Sequence, residues 1–367
     1  MNNIHIKTLT PIHIGSGVFL HNKTEFEKFN KGEDSFLGII DEKKIMSLLG
    51  EKHIDEWVVS IERGKSIRDI FNKFSLCNKV SAYSKRTILN FSDNISDNAT
   101  LKECIHNGMG VPYIPGSSIK GAIRTALLCY LFNSSEHNYN PNKTLRDAQR
   151  FESDIFGSSP NDDVFRFIQV GDAYFPKDCE IALTMILLNI TSKTNLIDSS
   201  KQQIVECICP EASTTFHLKI NKQYSDYCHK KNNNIKTIPP EFKDLKALFH
   251  AINTHTKRLL DEELDFWNDI NNQKEGAHEY IDNIKKIHNM IDLNNNEKCI
   301  LRIGHGSGWR FMTGAWTKKY PFFNSTIVPT CRRNNSYYEQ YDFPKTRRID
   351  EIDSDILGFV QLTQANN

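Results

Sequence analysis

Two stretches of this 367-residue chain carry residue types suited to holding an anion. The first is Ile114-Pro115-Gly116-Ser117-Ser118-Ile119-Lys120-Gly121-Ala122-Ile123-Arg124. Ser117 and Ser118 are N-cap types, whose hydroxyls accept from the free amides of a first helical turn. Lys120 and Arg124 lie one turn apart on one face. Free N–H groups, two hydroxyls, the positive end of a helix dipole and two cations together favour an anion, with phosphate the natural one. The second stretch is Gly304-His305-Gly306-Ser307-Gly308-Trp309-Arg310, where alternate glycines can present backbone amides to a phosphate. No Gly-Lys-Ser/Thr follows, so it is not a Walker loop, and Trp309 stands where a dinucleotide fingerprint needs its third glycine. A smaller candidate is His13 with Gly15-Ser16-Gly17, placed just after an N-terminal strand. His13 is readable as a general base, as an RNA stacking partner or as a structural histidine.

Charge is segregated although the net charge is only +1. Residues 302–348 hold 9 Lys/Arg against Glu339 and Asp342, a local net of +7 that includes Arg347. These cations are interleaved with Trp309, Phe311, Trp316, Tyr320, Phe322, Phe323, Tyr337, Tyr338 and Tyr341. Cations for phosphates and flat rings for unpaired bases are what single-stranded RNA binding requires. Residues 241–297 are the opposite, with 12 Asp/Glu against 7 Lys/Arg, and read as a solvated acidic face or a protein-docking face. The nine cysteines are scattered without a C-x-x-C, so the expectation is a reduced, cytoplasmic protein with structural thiols. Cys207, Cys209, Cys228 and His229 are the one set to weigh as metal ligands. The start of the chain lacks a secretory pattern. The apolar run at 181–190 is too short to span a bilayer, which takes about 20 residues.

The elements that must position these residues follow from periodicity. Residues 4–9 alternate as a strand, 35–40 (SFLGII) as another, and 41–49 as a helix capped by Asp41. Residues 54–74 read as helical, burying Trp57, Ile61, Ile67, Ile70 and Phe71. Residues 90–107 read as a polar loop or hairpin. Residues 111–115 are extended, because each proline biases the residue before it away from helix. Then Ile119, Ala122, Ile123, Ala126, Leu127, Tyr130 and Leu131 form one helical stripe. Gly121 inside that helix implies close approach by another backbone. Residues 133–142 read as a loop, 164–175 as a strand, 181–190 as a central strand and 213–220 as a half-buried strand. Residues 227–234 read as a polar break, 241–291 as helical, and 299–303 and 357–362 as strands.

The Ile-Pro-Gly-Ser-Ser-Ile-Lys-Gly segment resembles the signature of the RAMP superfamily of CRISPR proteins. So do Thr10-Pro11-Ile12-His13-Ile14-Gly15-Ser16-Gly17, the Gly304–Trp309 loop, and Pro344-Lys345-Thr346-Arg347-Arg348 followed by Gly358-Phe359-Val360. The resemblance touches both ends and the centre. It implies an α+β fold of two tandem ferredoxin-like (RRM-like) domains with helical insertions, here residues 1–178 and 179–367 with the acidic insertion at 241–297. It implies a non-catalytic subunit of a type III-A effector that needs no cofactor or metal. Such a subunit binds the 3′ region of the CRISPR RNA, packs on a neighbouring backbone subunit, and supports 3′ maturation, for which a host 3′ exonuclease could dock. Carried over, the RNA contacts are His13, Gly15, Ser117, Ser118, Lys120, Arg124, Gly304, His305, Gly306, Ser307, Gly308, Trp309, Arg310 and Arg347. The alternative is a metal-independent endoribonuclease using His13, His305 and Lys120 for acid–base work, as in repeat-processing RAMP enzymes. Either way, the Gly116 and Gly304–Gly308 turns are expected to converge on one sugar-phosphate strand.

Overall fold

Alternation at the start of the chain sets the middle of one sheet. Ile4 and Ile6 are buried while His5 and Lys7 are half-exposed, the mark of a strand covered on one face. The computed structural model describes residues 2–76, 79–93, 95–132, 152–271, 274–331 and 343–365. The loop expected at 133–142 and the rings of Tyr337, Tyr338 and Tyr341 lie outside the described residues.

The first strands are β1 (Asn2–Thr8), β2 (Gly15–His21), β3 (Phe26–Lys31), β4 (Asp34–Ile40), β5 (Ser84–Asn90) and β6 (Thr100–Cys104). Next come β7 (Tyr113–Ile114), β8 (Ile168–Val170), β9 (Ala173–Tyr174), β10 (Glu180–Asn189) and β11 (Ile197–Ile208). The last are β12 (Ser213–Ile220), β13 (Lys298–Arg302), β14 (Thr346–Asp350) and β15 (Phe359–Gln364). Helices are α1 (Glu42–Leu49), α2 (Ile54–Glu62), α3 (Ile67–Lys73), α4 (Val80–Tyr83) and α5 (Gly116–Leu131). They continue with α6 (Lys222–Lys231), α7 (Leu245–Asn271) and α8 (His278–Asn289). Among the described residues no helix is long and apolar enough to cross a membrane.

A five-stranded sheet has the order β13-β15-β1-β12-β8, and an eight-stranded one runs β2-β6-β11-β10-β5-β4-β3 with β14 on β10. Helices α5 and α7 cover one face of the first sheet, packing Ile119, Ile123, Leu127, Leu248 and Ile252 on Ile4, Ile6, Phe216 and Leu362. The second sheet curls so that Leu20, Phe26, Leu37, Ile88, Ala182 and Ile204 meet inside it. A further core joins both sheets to α7 and α8 through Ile186, Ile300, Phe359, Trp267 and Tyr280. The boundary expected at 178/179 runs through both sheets, since each draws strands from either side of it.

Several local expectations change. Within the loop or hairpin expected at 90–107, residues 100–104 form β6, which is no hairpin partner of β5 but lies between β2 and β11. Residues 164–167 wind as a 3-10 turn before the short β8, rather than as one long strand. The polar 227–234 break is largely the end of α6. Ile61, expected inside, is 39% exposed on α2.

Candidate nucleic-acid interface

The α5 N-terminus is where sequence and structure diverge most. Pro115 is the residue at the cap and no side chain caps the helix. Ser117 and Ser118 fall inside the first turn, where the Ser118 N–H donates to the Pro115 carbonyl at 2.9 Å. The anion expected there is supplied by the chain itself. The Gly116 N–H donates to Asp172 Oδ1 at 2.7 Å, so a carboxylate already sits against the dipole end. Arg124 is equally occupied: its Nε meets Glu152 at 2.6 Å and its Nη1 meets Asp163 at 2.8 Å, with the guanidinium over Phe156 and Phe165. Half-burial lowers the Lys120 pKa, with Asp163 opposing and Arg124 reinforcing the shift. The close backbone approach belongs to Gly116, where a Cβ would lie 2.3 Å from the Val170 oxygen, and not to Gly121, which faces open space.

The two turns expected to converge stand apart. Val170 is level with Leu218 and Asn2, whereas Arg302 pairs Phe359, one residue beyond the Thr8–Val360 pair. Since β8 and β13 are opposite edges of the sheet, Gly116 and Gly304 sit at opposite corners, roughly 30 Å apart by strand spacing and rise.

The Gly304–Gly308 turn meets His13 instead. Gly304, Gly306 and Gly308 all adopt positive φ. Gly304 presses on the carbonyl of His13, which also accepts the His305 N–H at 2.9 Å. The two imidazoles lie edge to face at 5.4 Å. His13 is 3% exposed, and its Nδ1–H donates to the Glu206 carbonyl at 2.6 Å. Burial lowers its pKa, and the nearby Lys102 ammonium adds to the effect. Gly15 packs over the remaining nitrogen, a Cβ there lying 3.1 Å from His13 Nε2. His305 is pushed down to about 4 by burial, then by the positive field of Lys102, His13 and Arg348.

Beneath the loop, Arg302 donates to the carbonyls of Gly306 and Leu357, both at 3.0 Å, with its guanidinium between Phe311 and Phe359. Loop and guanidinium help to line a cleft of about 320 Å³ with Trp309 and Arg348. Trp309 is not a free platform: its ring is held edge to face by Phe343 at 5.0 Å and leans on Phe323.

Arg310 and Arg347, expected at phosphates, are buried ion-pair partners. Arg347 Nη2 meets Glu263 Oε2 at 2.9 Å and Arg310 Nε meets the same oxygen at 3.2 Å. Glu263 also accepts from Tyr280 and Trp267. Burial would raise this carboxyl, but Arg347 and then Arg310 outweigh it and hold the pKa down to about 2. The acidic helix α7 is therefore not a solvated face remote from the basic segment; it neutralises part of that segment.

Three residues that sequence reasoning passed over frame the loop surface. Lys102 stands opposite Phe19 across β6 and β2, its Nζ 5.7 Å from the ring centroid, and Phe19 is 51% exposed. Arg348 follows Arg347 on β14 and therefore faces the other way, opposite Leu187 of β10. For Lys102 and Arg348 the signal was present as strand alternation, at 100–104 and at 346–350; Phe19, on the exposed start of β2, had none.

No ligand set forms from Cys207, Cys209, Cys228 and His229. Among the described residues the grouped ligand atoms are those of His106, Glu180 and Glu206. Arg86 already takes Glu206 in a bidentate pair at 2.9 Å, and His106 holds Glu180 at 2.6 Å.

Residues 5–311 match the profile of the RAMP superfamily. The chain belongs to that superfamily. Among curated relatives, Csm5 of Methanocaldococcus jannaschii is 25% identical over 358 residues, covering 90% of this chain and 74% of that protein. Csm5 of Streptococcus thermophilus is 26% identical over 208 residues, 52% of this chain and 56% of that one. Among solved structures, a chain of a type III-A Csm–crRNA–target RNA ternary complex superposes with a TM-score of 0.71 at 20% identity, covering 99% of this chain and 100% of that one. The T. onnurineus Csm5 crystal structure gives 0.62 at 19% identity, covering 97% and 99%. This is a Csm5-like RAMP protein, and its curled sheets and helices are the α+β architecture of tandem ferredoxin-like units with helical insertions.

Proposed function

We propose that this Csm5-like protein is a non-catalytic subunit of a type III-A effector that binds the 3′ region of the CRISPR RNA. In this reading it caps one end of the assembly beside a backbone subunit and supports 3′ maturation, with a host exonuclease as a transient partner. The observation that carries the reading is the meeting of the Gly304–Gly308 turn with His13, just before β2, where His13 and His305 touch, flanked by Lys102 and Arg348. Backbone amides and two cations suit a sugar-phosphate strand, and the exposed Phe19 ring suits an unpaired base. The RNA contacts proposed are therefore Gly15, Gly304 through Gly308, Lys102, Arg348 and Phe19. Ser117, Ser118, Lys120 and Arg124 do not enter, because they stand at the far corner with Arg124 already paired.

Metal-independent cleavage would need an accessible base and an acid at one point. His13 is enclosed, and Lys120 lies at the other corner of the sheet, so the geometry favours binding. The test is fluorescence anisotropy with repeat-containing RNA across a salt series. Lys102→Ala with Arg348→Ala should weaken binding and flatten the logarithmic salt dependence by about 1.4, two phosphates at about 0.7 each. An unchanged slope would remove this surface from the proposal, and RNA cleavage in EDTA abolished by His305→Ala would restore the nuclease.

A further inference from the structure

We infer that the protein holds a second contact for single-stranded RNA, in the groove between the β3–β4 hairpin and helices α3 and α4. The groove encloses about 660 Å³. Its cations are Lys31, Arg68 and Lys79, and among the described residues no Asp or Glu lines it. Lys31 and Lys79 are exposed. Arg68 is fixed from behind by its hydrogen bond to the Lys28 carbonyl at 3.0 Å. The buried Glu27 takes the hydroxyls of Tyr83, at 2.6 Å, and Ser66, and pairs with Arg68 at 3.9 Å, so among the described residues Lys31 and Lys79 are the groove cations with no ion-pair partner.

Two rings supply the apolar part. Phe29 and Phe36 stand opposite each other in the hairpin register, stacked at 5.6 Å and 24°, both half-buried. Gly38 lets α4 close directly onto β4 beside them, because a Cβ there would meet Ser84 and Val80 at 2.4 Å. Two exposed lysines and an arginine backed by Glu27, beside a stacked, half-exposed ring pair, are complementary to phosphates and unpaired bases. An acidic peptide would use the cations and leave the rings without a partner.

Register places this groove on the same face of the eight-stranded sheet as Lys102. Cross-strand partners share a face, and the pairs Lys102–Val205, Val205–Leu183, Ile181–Leu89, Leu89–Phe36 and Phe36–Phe29 step along it. From β6 to β3 that is roughly 24 Å of sheet, close enough for one RNA to engage both surfaces.

The test uses the full chain and a fluorescein-labelled oligouridylate, with a 4-thiouridine version for crosslinking. The variant Lys31→Glu with Lys79→Glu changes two exposed side chains and should melt as the wild type does. The expected results are a salt slope reduced by about 1.4 and crosslinks mapped by mass spectrometry to the 29–36 hairpin. An unchanged slope without hairpin crosslinks overturns the inference. So does a variant that loses polyglutamate binding while keeping RNA, which would make the groove a protein-docking site. Lys102→Glu with Arg348→Glu, run in parallel, reads the glycine-turn surface separately, so failure of either surface leaves the other's result intact.

Discussion

A Cβ built on Gly304 would lie 2.6 Å from the carbonyl oxygen of His13. Gly304 also adopts φ +79, where side chains other than hydrogen are strained. Gly304→Ala should therefore cost roughly 2–4 kcal/mol, from left-handed strain plus overpacking. Gly308, at φ +72 with open space around its Cβ position, carries only the first penalty. Gly308→Ala should cost about 1 kcal/mol. Thermal melting of the two variants side by side checks the difference; equal losses would mean that the His13 contact does not constrain the loop.

The adjacent arginines of β14 should behave oppositely. Arg347 faces inward onto Glu263, and its removal strands a buried carboxylate. Arg347→Ala should destabilise by about 3–5 kcal/mol. Arg348 faces outward near His305. Arg348→Ala should leave the urea midpoint within about 0.5 kcal/mol of wild type while weakening RNA binding. A reversed outcome would place the interface on the other face of β14.

This pair also shows how far the sequence could be read. The basic segment was visible as composition, but composition carries no parity. Without knowing that 346–350 is a strand and which face is covered, the inward Arg347 cannot be told from the outward Arg348. The α5 stripe was legible because period 3.6 is local, and Ile119, Ile123 and Leu127 are indeed buried. The Asp172 carboxylate at its N-terminus was not legible, because it arrives from 56 residues away. The meeting of His13 with Gly304 is a still longer pairing. It depends on β1 and β13 both flanking β15, which no local pattern encodes.

Two buried groups should shape the acid limb of the stability curve, His255 beginning at higher pH than Glu263. Glu263 is held down to about 2, so its ion pairs contribute fully above its unfolded value of about 4.5 and are lost as pH falls from there toward 2. His255 is pushed down to about 3, by burial and then by Arg258 and Lys319. It stays neutral in the fold while the unfolded chain takes up a proton, so stability is lost as pH falls from about 6.5 toward 3. His255→Phe should reduce the slope of the stability curve between pH 6.5 and 4.5, leaving the share of His13 and His305, which burial also keeps neutral. A slope equal to that of the wild type would mean that His255 does not titrate there.

The helix glycines give a prediction of opposite sign at positions five residues apart. At Gly116 an added methyl meets the Val170 oxygen at 2.3 Å and the Gly171 oxygen at 2.8 Å, both backbone atoms that cannot move aside cheaply. Gly116→Ala should destabilise by on the order of 1–3 kcal/mol and lengthen the Gly116–Asp172 hydrogen bond. Gly121 sits inside α5 on an exposed face with nothing within 4 Å of its Cβ position. There the methyl only restricts the unfolded chain and improves helix propensity, so Gly121→Ala should stabilise by about 0.4–1 kcal/mol. Differential scanning calorimetry separates the two. A loss in the isolated chain would overturn the open setting of Gly121, whereas a loss confined to the assembled complex would show that a neighbouring subunit or RNA presses on that turn.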